Sequence, residues 1–203
     1  MKQMKWFQSV PWVLSAVVAV FSFLVWAQGL GWDFSGIGAD ALFPLFGIMA
    51  FSLMWVHYAV DFIERYFDIE PAKGYLPASR VIVLVALFLH PGLLAWEQWR
   101  GGLGLPPASF FTYLGPTMGL GIKLGILAWL GFMLFELQYW YRGRPWFKWV
   151  GVASDVAMVL IVFHGAIVGG EIEIPWFHAL WIFYGATLLV SIGYYYYKIS
   201  RSR

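Results

Sequence analysis

The chain has no cysteine, and Asp, Glu, Lys and Arg together make up only 12% of its 203 residues. Without cysteine there are no disulfides, no thiolate metal sites and no cysteine-ligated iron–sulfur clusters. So little charge excludes a water-soluble surface, since a soluble domain carries about 25% charged residues. Histidine is scarce too, at four residues. There is no glycine-rich phosphate loop on a strand–helix unit and no helical two-histidine zinc motif with a catalytic glutamate. No apolar segment carries the arginine ladder of a voltage sensor. Beyond the tyrosine run at 194–197 there is no low-complexity tract, and no internal repeat.

What the chain has in quantity is apolar side chains. They make up 61% of the residues, and the mean hydropathy is +0.71. A membrane span takes roughly 20 mostly apolar residues, so this length accommodates about six spans joined by short loops. A nucleotide-binding catalytic domain would then belong to another protein. The expected spans are about 10–28, 43–64, 80–98, 118–140, 149–169 and 177–197. The expected fold is all-α, a single integral membrane bundle of six transmembrane helices over residues 1–203. The first apolar run, Val10 to Ala27, exceeds the roughly 7–15 residues of a signal-peptide core and has no small-x-small cleavage site after it. It is read as a retained helix.

Charge orients the bundle. Lys2, Lys5, Arg65, Lys73, Arg80, Arg142, Arg144, Lys148, Lys198, Arg201 and Arg203 fall before the first span, in the second and fourth loops, or in the tail. The other three loops hold one basic residue, Arg100, with Asp33, Asp40, Glu171 and Glu173. The positive-inside rule puts both termini in the cytoplasm. Pro71, Gly74 and Pro77 break the second loop, and Gly101, Gly102, Gly104, Pro106 and Pro107 the third. Trp6, Trp12, Trp96, Trp99, Trp140, Trp146, Trp149 and the tyrosine run form an aromatic belt at the interfaces.

Against this apolar background, His90 and His164 stand out. Each lies inside its own long apolar segment, VIVLVALFLHPGLLAW and VAMVLIVFHGAIVG. An ionisable residue in hydrocarbon is costly, so each is a candidate ligand, the other reading being a histidine hydrogen-bonded to a neighbouring helix. Leu160, Ala157 and Ala153 share the helical face of His164, and two alanines there leave room. Gly165 allows a close approach. Ala86 lies one turn before His90, and Pro91 follows it. The third and fifth spans run the same way, so both histidines fall in the middle-to-outer bilayer. Two neutral imidazoles so placed suit axial ligation of a haem iron. They suit zinc less, because a structural zinc site wants four ligands.

The other polar groups have plainer readings. His57, Asp61 and Glu64 form a stripe on one face of the second span. It is either an interior stripe paired with other helices and water or a proton or quinone site, and His57 is also a possible partner for His90. His178 is interfacial. Lys123 snorkels. Glu136 and Lys123 are not a mutual pair. Asp155 faces away from His164, toward the basic fourth loop.

The run ASRVIVLVALFLHPGLLAW, and then RGRPWFKWVGVASDVAMVLIVFHGAIVGG with a last aromatic helix, resemble the ferric-reductase-like transmembrane domain family over roughly residues 43–197. Within it the likeness is to the membrane haem b subunits of bacterial periplasmic methionine-sulfoxide reductase systems. The resemblance implies six spans, cytoplasmic termini, a bacterial inner membrane, haem b and a redox partner protein. His90 matches the family histidine of the third helix and His164 the outer histidine of the fifth. Members with two haems usually have another histidine thirteen residues before the outer one, where this chain has Gly151. The resemblance thus implies one haem, toward the outer side, with electrons arriving from quinol near His57 and Asp61 or from a flavoprotein. Membrane lipid is an expected partner and nucleic acid is not. Two other readings stay open. One is a proton-coupled transporter using His57, Asp61 and Glu64 as a relay, and the other is a non-catalytic membrane subunit.

Overall fold

The computed structural model describes residues 4–111, 119–136 and 144–201. The expected placements of Lys2, Trp140, Arg142 and Arg203, both ends of the fourth predicted span, and the side chains of Glu136 and Lys148 lie outside the described residues. Among the described residues the protein is all-helical, without a β-strand. The helices are α1 (Val10–Gly29), α2 (Ala39–Phe67), α3 (Tyr75–Arg100), the one-turn α4 (Ala108–Phe111), α5 (Gly119–Glu136), α6 (Lys148–Val168) and α7 (Pro175–Arg201). Five are long and apolar enough to cross a membrane: α1, α2, α3, α6 and α7. A shorter apolar helix, Gly119–Phe135, coincides with the fourth predicted span.

Where boundaries differ from expectation, the cause is local. Pro77 lies in the first turn of α3, which starts at Tyr75 and not at about residue 80. A first-turn proline costs no helical hydrogen bond, because N–H groups there have no intrahelical partner. Pro71 and Gly74 do stay in the loop, with Gly74 at φ +77°. Pro175 starts α7 in the same permissive position. Pro44 and Pro91 both lie inside helices that continue through them. The one-turn α4 falls in what reads as a glycine- and proline-rich loop.

Large apolar side chains cover the outside. Val13, Val17 and Val20 of α1, Val81, Val85 and Phe88 of α3, Val156 and Phe163 of α6, and Leu189 and Val190 of α7 are all exposed. In water so much apolar surface would drive association, whereas hydrocarbon solvates it without penalty. The structure is that of an integral membrane protein.

The contacts divide the chain into two compact units, Met1–Glu97 with Ile174–Arg203, and Gln98–Glu173. In the first, α2 lies against both α1 and α7. Phe51 and Trp55 of α2 meet Trp181, Phe183 and Tyr184 of α7, with ring centroids as close as 4.5 Å for Phe51–Trp181 and 4.6 Å for Trp55–Tyr184. Such aromatic pairs contribute about 0.5–1.5 kcal/mol each beyond the area they bury. The Trp55 indole N–H donates to Thr187 Oγ1 at 2.8 Å. Ser22 of α1 and Ser52 of α2 are 3.4 Å apart in the same core. Lipid tails are as apolar as leucine, so burial alone does not drive helices together in a bilayer. Close packing and these polar contacts do.

The first unit also has two distinct ends. At one, Gln8 accepts from the Lys73 N–H at 2.9 Å, Ser15 meets the Tyr75 hydroxyl at 2.8 Å, and Lys198 Nζ donates to the Arg65 carbonyl at 2.5 Å. Arg65 lies over the Tyr195 ring at 4.8 Å. At the other, the Trp26 indole N–H donates to the Ala41 carbonyl at 2.6 Å, and that of Trp176 to Gln28 Oε1 at 2.8 Å. Beside this end, in the loop after α1, Asp33 accepts from both the N–H and the hydroxyl of Ser35, which holds its carboxyl below the ordinary value. The basic residues Arg65, Lys73 and Lys198 thus gather at one end of the unit, and Asp33 lies at the opposite one.

In the second unit α5 packs on α6. A Cβ on Gly121 would come within 2.5 Å of Val168, and one on Gly131 within 2.9 Å of the Ala157 Cβ. The start of α5 therefore meets the end of α6, and the pair is antiparallel. Gly121 and Gly125 are a small-xxx-small pair, the spacing that lets helix backbones approach in a membrane.

Candidate functional site

His90 lies on α3, in the first unit, where its ring meets α2. Nδ1 is 2.7 Å from the Phe43 carbonyl oxygen, and the His90 and Phe43 rings are 5.6 Å apart. Directly beneath the imidazole is Gly47, where a Cβ would be 2.7 Å from Nδ1 and 2.8 Å from Cε1. Ordinary Cβ contacts are not that short, so only glycine fits with the ring where it is. Ala86, one turn before His90, is buried. This contact belongs to the end of the unit that holds Trp26 and Ala41, away from its basic end.

His164 lies on α6, in the second unit, where its ring meets α5. Nδ1 is 2.8 Å from the Gly121 carbonyl oxygen. Gly125 is beneath the ring, and a Cβ there would be 2.5 Å from Nδ1 and 2.7 Å from Cε1.

The two seats share one design. In each, the accepting carbonyl is four residues before the glycine, on the same helix. That carbonyl is also the one the glycine N–H addresses in an α-helix, and its second lone pair takes the imidazole. A carbonyl only accepts, so Nδ1 must carry the proton. In the neutral ring, Nε2 then holds the lone pair. Metal-bound histidines are oriented in this way, by a hydrogen bond from the other ring nitrogen.

The remaining candidates fall elsewhere. Ala157 is buried and faces Gly131, and the Ala153 carbonyl oxygen is 3.3 Å from where a Gly131 Cβ would be. Ala157 and the Ala153 backbone thus lie against α5. The Gly165 carbonyl accepts from the Gly169 N–H at the end of α6, at 2.9 Å. Gly151 is exposed, with open space where a Cβ would be.

The three polar residues of the α2 stripe have separate partners. His57 Nε2 is 2.8 Å from Ser79 Oγ, and its ring is edge-on to Tyr75 at 5.6 Å. Asp61 Oδ2 accepts from Arg65 Nε at 2.6 Å, and Glu64 Oε1 accepts from the Ala72 N–H at 3.3 Å. His57 is thus tied to α3, Asp61 to the next turn of its own helix, and Glu64 to the loop before α3. His178 is exposed in the first turn of α7, and Lys123 is exposed on α5.

The residues missed in the sequence are Gly47, Gly125 and the carbonyl-bearing Phe43 and Gly121. The Gly121–Gly125 spacing was a readable signal in an apolar segment. Gly47 carried none, since its role depends on a side chain from another helix. Among the described residues, no group of three or more His, Asp and Glu is placed to hold a bare metal ion. No family model, curated protein or solved structure matches the chain.

Proposed function

We propose that this chain is a membrane haem b electron-transfer protein, with His90 and His164 as the axial ligands of one haem iron. The observation that carries the reading is the repeated seat. Two histidines in apolar helices, each within its own unit, have Nδ1 tied to a backbone carbonyl and a glycine under the ring. In the neutral ring such a bond puts the proton on Nδ1 and the lone pair on Nε2, the form in which a histidine ligates iron. Histidine nitrogen is a donor that haem iron takes, and a haem would ask few other ligands of the protein.

When bound, haem supplies one-electron redox chemistry. The protein holds and orients the two imidazoles, and the apolar helices around them exclude water. Six spans, cytoplasmic termini and a bacterial inner membrane complete the reading. Its basis is the basic end of the first unit together with the positive-inside rule. Electrons arrive from quinol near His57 and Asp61 or from a flavoprotein, and leave to an outside acceptor through a partner protein. The resemblance to the ferric-reductase-like family supports the same scheme.

The test is a reduced-minus-oxidised spectrum of protein purified from haem-replete cells. The sharp α band of a low-spin bis-histidine haem is expected, and a colourless protein overturns the reading. In membranes, quinol-driven haem reduction should slow in His57→Ala. An unchanged rate removes His57 from the electron-entry site.

A further inference from the structure

We infer that Gly47 and Gly125 are positioning residues for the two histidines, and that the backbone carbonyls of Phe43 and Gly121 set the donor strength of the ligands. The inference rests on the haem reading and deepens it.

In each seat, an added methyl group would lie well inside van der Waals contact of Nδ1 and Cε1. The ring cannot swing aside without breaking its hydrogen bond to the carbonyl, at 2.7 Å for His90 and 2.8 Å for His164. The other escape is to push the helices apart, which also lengthens that bond. One substitution on a neighbouring helix therefore disturbs both the orientation of the imidazole and the charge on it. An Nδ1–H···O=C bond shifts electron density toward Nε2 and makes it a stronger donor. A stronger donor favours ferric over ferrous iron, so an intact seat lowers the reduction potential. Breaking a seat should raise it.

Not every helical glycine has this property. A Cβ on Gly151 of α6 or on Gly193 of α7 would meet nothing within 4 Å. Gly151→Ala and Gly193→Ala are therefore matched controls, one in each unit.

The experiment compares Gly47→Ala and Gly125→Ala with these controls in the haem-loaded protein. Two readouts are used, the low-spin ferric EPR g-values and a potentiometric titration. The expected result is a shifted g-value set and a higher midpoint potential, or outright loss of the haem band, in both seat variants and in neither control. A wild-type haem band with the same EPR spectrum and potential in all four variants overturns the inference and leaves the haem reading intact. No haem band in wild type overturns the haem reading itself. If a seat variant fails to fold, ¹⁵N-histidine NMR of the reduced, diamagnetic wild type decides. Two Nδ1–H protons that are shifted downfield and slow to exchange into deuterated water support the inference. Fast-exchanging or absent Nδ1–H protons overturn it.

Discussion

His57 shows how differently two intramembrane histidines of one chain can be used. Its Nε2 meets Ser79 Oγ, while Nδ1 of His90 and of His164 meets a backbone carbonyl. His57 thus ties α2 to α3 through a side-chain hydroxyl, whereas the other two rings are each tied to a backbone carbonyl. Ser79→Ala should remove this partner of the half-buried His57, at a cost of about 0.5–1.5 kcal/mol. The expected outcome is a lower thermal midpoint in detergent with an unaltered haem spectrum. A changed spectrum would mean that His57 acts on the haem after all. At this scale the two histidines were legible in the sequence, because an imidazole in an apolar run is conspicuous on its own. The seats were not. A glycine under a ring becomes visible only when two helices are brought together, and Phe43 takes part through its backbone, which no side chain advertises.

Among the elements, α5 is the one the sequence says least about. The structure places Gly131 against Ala157 and Gly121 against Ile167 and Val168. The small residues on the two helices answer each other. Composition shows that such residues are present but not which helix they meet. Ala157→Leu should force α5 and α6 apart and cost about 1–3 kcal/mol, the usual range for overpacking. Gly193→Ala should stay within about 0.5 kcal/mol of wild type, as substitutions away from packed features do. Thermal melts in detergent rank the two, and equal melting points would place the α5–α6 contact elsewhere. The helix starts were legible to within a few residues except at α3, where Pro77 reads as a breaker but occupies a first turn.

For the whole molecule, the absence of cysteine becomes an experimental advantage. Single cysteines can be introduced and labelled from one side with an impermeant maleimide. Asp33→Cys, Gly102→Cys and Glu171→Cys should label from outside intact cells. Ser9→Cys and Lys73→Cys should label only after permeabilisation. The reverse pattern would invert the orientation and move His90 toward the cytoplasm. The membrane character was plain from composition alone, and the all-helical fold followed from it. Composition does not bear on haem ligation, because hydropathy is blind to which nitrogen of a histidine holds its proton. The haem-to-protein ratio of the purified chain, set beside His90→Ala and His164→Ala preparations of matched helicity, probes the proposal most directly. One haem per wild-type chain and almost none in either variant is expected. No haem in wild type, or full occupancy in either variant, would refute bis-histidine ligation by this pair.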